Sequence, residues 1–550
     1  MYFKKNISLL FVLLAIVAIV AIVATAVLYH YLNMLPFSWA WDDTAILRQV
    51  IEYSPSEYFF DPSSWQQFSA SNLHPWILLS FELDLFLFGL NPEGFYLHQF
   101  VSIAIILLCV FFVFRLWVSP VLAMSASVLF LYSPPISTLS YQLMTRHYIE
   151  GLIFALLSIM AYVLFIRKNN YYLLFLAVFF YVLAFSAKEI YVPLPGLLFF
   201  LGKQSIPQRI VKILPFAIAG LFYIVWRYYM LGVLVGGYGL NTDRSITYFI
   251  ERLSNALFSP NIYYQFFFAI TLLPAIVYFF RAIKVSIPLI ILILLSLLPL
   301  YPISYFLSEG RYMLMPTLTY IAIIILSLHF YMHQYPSSKV IKLSTITILC
   351  GILFLFVQMS QLEREGLQKD YKRYATQWTF IYNTASINDF FLVNPAGSWF
   401  AENSRWLRQY YKNESVNLVF DLIDLTPLQA EQNMFFKFDE VCQCVVKKQD
   451  FLQTYKKWQN KQKEQALSIQ FDYKNNISIW DFRALQTGEF FFLVPKTLSY
   501  QVPAKGIFRS HLDKYHHFRI KYIADNGFMT YSPLFKFSEQ PIAYEMTIKN

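Results

Sequence analysis

The chain has 550 residues, of which 57% are hydrophobic and only 14% are charged, and its mean hydropathy is +0.47. Soluble globular proteins carry about 25% charged residues, so this composition excludes a soluble, secreted or disordered chain. The formal net charge is +10. It is not gathered into a basic patch or a nucleic-acid-binding motif, which argues against nucleic acid as a partner.

Charge divides the chain into two regions. Residues 1–360 contain 19 Lys or Arg and 13 Asp or Glu, whereas the shorter region 361–550 contains 24 and 20. We therefore predict a membrane domain over 1–360 and a folded polar domain over 361–550. A region of that length can bury a core of its own.

Apolar runs close to the ~20 residues that cross a bilayer predict about eleven membrane-spanning helices. The runs are 7–29, 96–114, 119–134, 148–166, 171–187, 189–202, 210–230, 262–280, 285–303, 313–332 and 340–359. The first run is longer than the apolar core of a usual signal peptide, so we expect a retained helix.

The basic residues of the short loops predict the orientation. With Lys4 and Lys5 in the cytoplasm, the cytoplasmic face receives 12 of the 19 basic residues of the membrane region, and all 13 acidic residues fall on the other face. This is the positive-inside distribution expected in a plasma or inner membrane. It places the N-terminus in the cytoplasm and, after an odd number of spans, residues 361–550 outside it.

The first outer loop, residues 32–99, contains two adjacent carboxylates, Asp42 and Asp43. One interpretation is structural, because acidic residues cap helix N-termini and favour the helix dipole. The other is catalytic, because a carboxylate can accept the proton of a hydroxyl nucleophile. The pair could also ligate Mg²⁺ or Mn²⁺ together with substrate oxygens, but two adjacent acids do not define a metal site and we assign none.

Four cations lie near the outer ends of predicted spans, against the charge bias: Arg146, Lys188, Arg227 and Arg311. Each taken alone fits a local ion pair, for example with Glu189 or Glu309, or a side chain that snorkels to the interface. Together they predict an anion site at membrane depth, for which a lipid-linked phosphate is the natural ligand.

A carboxylate pair and a phosphate site suggest one reaction. An acceptor hydroxyl loses its proton to an Asp and attacks the anomeric carbon of a sugar on a polyprenyl phosphate, while the cations stabilise the departing phosphate. Attack opposite the leaving group inverts the anomeric centre. Two alternatives stay open: a non-catalytic transporter or flippase of lipid-linked saccharides, and a polysaccharide polymerase or ligase.

Five outer-face motifs follow one another over about residues 30–320: 37–46, 71–97, 186–193, 227–238 and 309–316. In this order they resemble motifs of the GT-C superfamily of membrane glycosyltransferases. The likeness is strongest to protein O-mannosyltransferases and to the transmembrane O-mannosyltransferases that carry tetratricopeptide repeats. It implies a GT-C-like helical fold, a polyprenyl-phosphate-linked sugar as donor, and a hydroxyl on a protein, lipid or glycan as acceptor.

The resemblance also implies roles for individual residues. Asp42 matches the base or acceptor-orienting acid, and Asp43 its partner. Lys188, Arg227 and Arg311 match positions near the donor phosphate, and Glu189 matches a residue that orients the lysine or meets the sugar.

Arg146, Glu309 and His74 complete the predicted donor site, although relatives often have Arg where His74 stands. Region 361–550 shows no 34-residue repeat, so neither mannose nor a particular acceptor is carried over.

In 361–550 we expect the last span to continue as a helix to about 372. Strands are predicted near 390–395 and 416–420 around a helix at 402–411, and further strands at 477–482, 490–494 and 518–523, with a polar helix over 447–465. His511, His516 and His517 suggest surface residues rather than a catalytic group. We expect Cys442 and Cys444 to be reduced or paired elsewhere, because a Cys-x-Cys disulfide is strained.

Overall fold

The structure is a computed structural model that describes Thr25, Leu32 and residues 37–69, 71–201, 204–234, 246–258, 283–297, 310–383, 390–395, 397–463, 465–474, 477–484, 487–509, 515–539 and 541–546. Within these residues five helices are long and apolar enough to cross a membrane, and a sixth span is added if Pro120–Leu131 and Pro134–Tyr141, bent by 52°, count as one. The predicted spans 7–29, apart from Thr25, and 262–280 lie outside the described residues. The chain is a polytopic α-helical membrane protein with a C-terminal mixed α/β region, as predicted.

The described α-helices are α1 (Asp43–Glu52), α2 (Pro55–Phe60), α3 (Pro62–Phe68), α4 (Trp76–Phe88), α5 (Pro92–Arg115), α6 (Pro120–Leu131), α7 (Pro134–Tyr141), α8 (Arg146–Lys168), α9 (Tyr171–Ala187), α10 (Leu194–Phe200), α11 (Ile206–Leu231), α12 (Ile246–Phe258), α13 (Ile283–Leu297), α14 (Leu314–Gln334), α15 (Lys339–Asn383), α16 (Ser398–Lys412), α17 (Pro427–Gln432) and α18 (Phe451–Asn460).

The described strands are β1 (Phe390–Val393), β2 (Asn417–Val419), β3 (Met434–Asp439), β4 (Cys444–Lys447), β5 (Leu467–Lys474), β6 (Ile477–Ala484), β7 (Gly488–Val494), β8 (Leu498–Val502), β9 (Lys505–Arg509), β10 (His517–Ala524), β11 (Met529–Tyr531), β12 (Phe535–Lys536) and β13 (Ile542–Met546).

The chain forms two compact units. The first comprises Met1–Phe37, Leu73–Tyr229 and Ser245–Gln368, and the second comprises Ser38–Asn72, Met230–Arg244 and Lys369–Asn550. The main division, after Gln368, is near the predicted boundary at 360. The second unit differs from the predicted domain because it also includes part of the first outer loop, with helices α1 to α3.

Proline begins many of these helices. Pro92, Pro120 and Pro134 each stand at the first turn of their helix, where proline has a suitable φ and its missing N–H leaves no helical hydrogen bond unmade. The residue before proline often caps the helix: the Asn91 side chain accepts a hydrogen bond from the Glu93 N–H at 3.1 Å. The sequence thus defines where the spans start more sharply than apolar runs alone do.

Lys188 lies in the break between two apolar helices of the first unit, α9 and α10. Helix α9 ends at Ala187, Lys188 is extended (φ −156°, ψ 136°), and a short 3₁₀ turn, Glu189–Tyr191, precedes α10. The Tyr191 hydroxyl donates to the Tyr148 carbonyl oxygen of α8 at 2.7 Å. Gly151 of α8 leaves room for this ring, because a Cβ there would lie 2.5 Å from Tyr191 Cε2. The break at Lys188 is therefore held against α8.

The described residues of the second unit form three sheets. Parallel strands β2, β1 and β3, with antiparallel β4 at the edge, form the first sheet, and α16 connects β1 to β2. The second sheet has the order β11-β10-β7-β8 with β12 paired to β10, and the third has the order β13-β5-β6-β9. These last two sheets bury one shared cluster that includes Phe471, Phe492 and Phe518.

The predicted elements of 361–550 are largely present. Helix α15 continues the last span to Asn383 without a break over 45 residues, about 68 Å. The polar helix predicted over 447–465 is shorter, Phe451–Asn460, because β4 occupies the residues up to Lys447. His511 lies outside the described residues, His516 is exposed, and His517 begins β10.

The expectation for the outer cysteines is wrong, since Cys442 and Cys444 form a disulfide. Gln443 between them has a φ of +53°, which brings their Cα atoms to 5.3 Å, within the range for a disulfide. The turn is closed by the Asp439 carboxylate, which accepts hydrogen bonds from the Val441 and Cys442 N–H groups. Spacing alone did not reveal this left-handed turn between β3 and β4.

We predict that Gly151→Ala lowers the thermal unfolding midpoint of the purified protein, because its Cβ displaces the Tyr191 ring at a cost of about 1–3 kcal/mol. Gly366→Ala in α15 is the matched control, since a Cβ at Gly366 meets nothing within 4 Å. Both variants gain helix propensity, so the control should be as stable as wild type or more stable. Equal shifts in the two variants would contradict this role of Gly151.

Candidate functional site

The first unit brings together five of the residues predicted to bind the donor, which we call the basic cluster: His74, Lys188, Glu189, Arg227 and Arg311. The His74 side chain is largely buried. Burial first, and then the positive charges of Lys188, Arg227 and Arg311, hold the pKa of His74 well below its usual range. The imidazole is therefore neutral at physiological pH and surrounded by a positive potential.

Lys188 is a deeply buried cation of the basic cluster. It is 8% exposed, and its Nζ lies 5.0 Å from the centroid of the Tyr148 ring. In the part of the chain that the structure describes, its ammonium forms no ion pair. A buried charge without a partner is costly unless an anion compensates it, so this position favours binding of an anionic ligand.

Glu189 holds the cluster together. Its Oε1 accepts hydrogen bonds from Arg227 Nη1 and from the Leu73 backbone N–H. One carboxylate thereby connects helix α11 with the segment that carries His74. Glu189 is thus shared between its ion pair with Arg227 and the charge of the neighbouring Lys188.

His147 belongs with this cluster and was missed from the sequence. Its ring stacks on His74 with centroids 4.7 Å apart and an interplanar angle of 24°. It is 5% exposed, and the Met144 backbone approaches the ring without completing a well-formed hydrogen bond to either nitrogen. The sequence feature that could have identified His147 is its position beside Arg146, at the predicted outer end of an apolar span.

The structure does not place Arg146 in the basic cluster. Its guanidinium is fully buried and forms an ion pair with Asp84. It also donates to Gln99 Oε1 at 3.1 Å, to Ser80 Oγ at 3.2 Å and to the Phe95 carbonyl oxygen at 2.7 Å. These bonds support the structural interpretation for Arg146, because its donors are used within the protein. Glu309 lies outside the described residues.

The two adjacent carboxylates, which lie in the second unit, differ in environment. Asp43 is fully buried, and its Oδ2 accepts a hydrogen bond from the Ala40 N–H at 3.0 Å. This bond closes the turn that starts α1, as the structural interpretation expects. Asp42 is exposed at the N-cap of α1, and its side chain does not cap the helix. Of the two, Asp42 is therefore the carboxylate that can meet a substrate.

A strained residue precedes Asp42. Trp41 has a φ of +48°, a conformation that bulky residues rarely adopt and that persists only where the surroundings impose it. Such positions concentrate where a chain must present a particular group. Here the positive φ of Trp41 turns the chain just before Asp42, at the start of α1.

Metal ligation was left open at the sequence level. Among the described residues, no group of three or more His, Cys, Asp or Glu is arranged to hold a metal ion. The possible use of Mg²⁺ or Mn²⁺ stays a prediction.

No protein-family model matches the sequence, and no curated protein matches it. Among solved structures, the chain is similar to the oligosaccharyltransferase of Archaeoglobus fulgidus, tethered with an acceptor peptide, at 9% identity and a TM-score of 0.44, covering 88% of this chain and 74% of that one. It is also similar to ArnT from Cupriavidus metallidurans, at 11% identity and a TM-score of 0.43, covering 78% of this chain and 93% of that one. Both are GT-C glycosyltransferases.

We predict opposite effects on stability for the two kinds of buried cation. Arg146→Met leaves the buried Asp84 with only the His98 ring, 2.7 Å away, as a partner and should destabilise the protein by about 3 kcal/mol. Lys188→Met removes a buried charge that has no ion pair among the described residues and should leave the thermal midpoint unchanged or raise it. Thermal unfolding in detergent measures both, and a larger loss for Lys188→Met would contradict the assignment.

Proposed function

We propose that this protein is an inverting glycosyltransferase that moves a sugar from a polyprenyl-phosphate donor to a hydroxyl acceptor on the extracytoplasmic face of the membrane. The observation that carries the proposal is the buried Lys188 ammonium, without an ion pair in the described structure, beside Arg227. Cations held in a low-dielectric environment bind phosphate strongly and stabilise the charge of a leaving phosphate.

The location of the cluster favours a lipid-linked phosphate over a soluble one. Lys188 stands at the end of α9, Arg227 near the end of α11, and Arg311 at the start of the span Gly310–Gln334. The ends of apolar helices lie at the level of lipid headgroups. A polyprenyl chain can remain among lipids while its phosphate reaches this level.

In the proposed reaction, Lys188 and Arg227 donate hydrogen bonds to the donor phosphate, and His147, whose ring nitrogens lack well-formed bonds, can add another. Asp42 takes the proton of the acceptor hydroxyl as that oxygen attacks the anomeric carbon. Glu189 positions Arg227 and the His74 segment. Asp43 serves the turn that presents Asp42.

The disulfide supports an extracytoplasmic location of the second unit. Disulfides persist in oxidising compartments and are rare in the cytosol. Cys442 and Cys444 lie at the turn between β3 and β4 and are bonded to one another. This agrees with the orientation predicted from the basic loops.

We predict that the purified protein, given a pool of polyprenyl-phosphate sugars and cell-envelope acceptors, releases polyprenyl phosphate detectable by mass spectrometry. Lys188→Met should weaken donor binding, because it removes a direct phosphate contact. Asp42→Asn should keep donor binding but reduce release by about 10²–10⁴-fold, as expected for loss of a general base.

Lys212→Met is the matched control for Lys188→Met. Lys212 Nζ also lies over an aromatic ring, 5.2 Å from the Phe165 centroid, but it belongs to the basic loops of the predicted cytoplasmic face. The Lys212→Met variant should therefore bind the donor and release polyprenyl phosphate like the wild-type protein. Donor binding without release, unchanged in Asp42→Asn, would instead favour the transporter or flippase alternative.

The orientation gives a separate prediction. On intact cells, a membrane-impermeant maleimide should label Cys442 and Cys444 only after an impermeant reductant has opened their disulfide. The double variant Cys442→Ser, Cys444→Ser should lose this labelling. It keeps Cys109 and Cys350, so any label that remains on it comes from those two cysteines. Labelling that requires permeabilised cells would place the second unit in the cytoplasm.

A further inference from the structure

Aromatic rings adjoin the exposed carboxylate of the second unit. The Trp41 ring lies between two tyrosines of α15, with centroids 6.1 Å from Tyr371 and 5.7 Å from Tyr374. The rings are tilted by 38° and 44° rather than stacked face to face. Trp41 is half-buried, so this arrangement supports the ring while part of it stays accessible next to Asp42.

The segment that carries Trp41 is clamped. The Ser38 N–H donates to Tyr371 Oη at 2.6 Å, and that hydroxyl donates back to the Ser38 carbonyl oxygen at 3.3 Å. The segment with the positive φ of Trp41 is therefore held on both sides, by the Ser38 bonds three residues upstream and by the contacts of the Trp41 ring with α15. A strained, clamped tryptophan directly before an exposed carboxylate indicates a surface built to present both side chains.

A third tyrosine extends this surface. Tyr500 of β8 is 46% exposed. Burial around its hydroxyl and then the negative charge of Asp42 raise the pKa of Tyr500 above its usual range, with Tyr374 and Tyr515 also acting on it. The phenol therefore stays protonated. Helix α16 adjoins all three groups: its Phe400 ring lies 4.9 Å from the Tyr374 ring, the Phe400 carbonyl oxygen accepts a hydrogen bond from Thr44, two residues after Asp42, and β8 packs against the same helix.

The chemistry of this surface fits a sugar ring. A pyranose has apolar C–H faces and a rim of hydroxyls, and aromatic side chains combine a broad apolar face with a polar edge. A carboxylate and phenol hydroxyls among the rings can accept and donate hydrogen bonds to the rim, as the few polar groups of small-molecule sites do. An extended peptide would pair with the backbone of a strand edge; β8, which carries Tyr500, lies at the edge of its sheet, but the groups beside Asp42 are side chains at the start of a helix.

We infer that the acceptor is a saccharide, bound with one ring against Trp41, Tyr374 and Tyr500 and with its nucleophilic hydroxyl at Asp42. This inference rests on the proposed function and specifies its acceptor. In the step, the bond between the anomeric carbon and the phosphate oxygen breaks, and the carbon bonds to the saccharide oxygen. The hydroxyl proton passes to Asp42, and polyprenyl phosphate departs with the bonding electron pair.

The test follows radiolabelled sugar from the polyprenyl-phosphate pool into three cell-envelope fractions, offered separately to the full-length protein in nanodiscs. The three fractions are saccharide free of protein and lipid, chemically deglycosylated protein, and lipid free of saccharide. We expect label in the saccharide fraction. Label in protein or lipid, with polyprenyl phosphate released, overturns this inference and leaves the glycosyltransferase proposal standing. No release with any fraction overturns the proposed function itself.

Variants of Tyr500 test the surface directly. Tyr500→Ser removes the ring and should raise the acceptor KM about tenfold, with the donor KM changed less than twofold. Tyr500→Phe keeps the ring and should recover most of the affinity. Tyr410→Ser is the control, because Tyr410 is 59% exposed on α16 and stacks on Trp406. An acceptor KM that does not respond to Tyr500→Ser overturns the inference.

Discussion

The interaction on which the basic cluster depends is the pair of bonds made by the Glu189 carboxylate. It binds the Arg227 guanidinium and the Leu73 backbone together, although these groups come from distant parts of the sequence. The neighbouring Lys188 ammonium is buried against the Tyr148 ring and forms no ion pair with the residues that the structure describes. Among the described residues of the cluster, one carboxylate stands with three cations, an excess of positive charge that suits a phosphate ligand.

The contrast between two buried cations shows what the structure adds to the sequence. Charge bias singled out both Arg146 and Lys188, since each opposes the positive-inside distribution. It could not separate them, because the partner of Arg146 is Asp84, 62 residues away. A buried ion pair depends on tertiary contacts, and local sequence does not encode them. The same limit concealed His147, whose position is apparent only from its stacking on His74.

The fold was predictable where local signals dominate. Apolar runs located the five described spans, whereas the predicted spans 171–187 and 189–202 are shorter apolar helices in the structure. The continuation of the last span into α15 followed from its charged, helix-compatible sequence. The strand order of the three sheets was not predictable, because it depends on pairing between strands far apart in the chain. The inclusion of Ser38–Asn72 in the second unit is likewise a tertiary result.

Asp42 and Asp43 illustrate the same division within two residues. The sequence predicted their importance and offered a capping and a catalytic interpretation for the pair. The structure gives each a different environment, since Asp43 closes the turn with Ala40 and Asp42 remains exposed beside a strained Trp41. The two aspartates differ in exposure and hydrogen bonding because the backbone turns at Trp41. The residue pattern does not specify that turn.

The central claim is that the basic cluster of the first unit binds a lipid-linked phosphate. An experimental structure of the protein in nanodiscs with polyprenyl phosphate, determined by electron cryo-microscopy, tests it most directly. The account predicts phosphate density within hydrogen-bonding distance of Lys188 Nζ and the Arg227 guanidinium. Ordered phosphate density away from both residues, with Lys188 paired to a protein carboxylate, would contradict it.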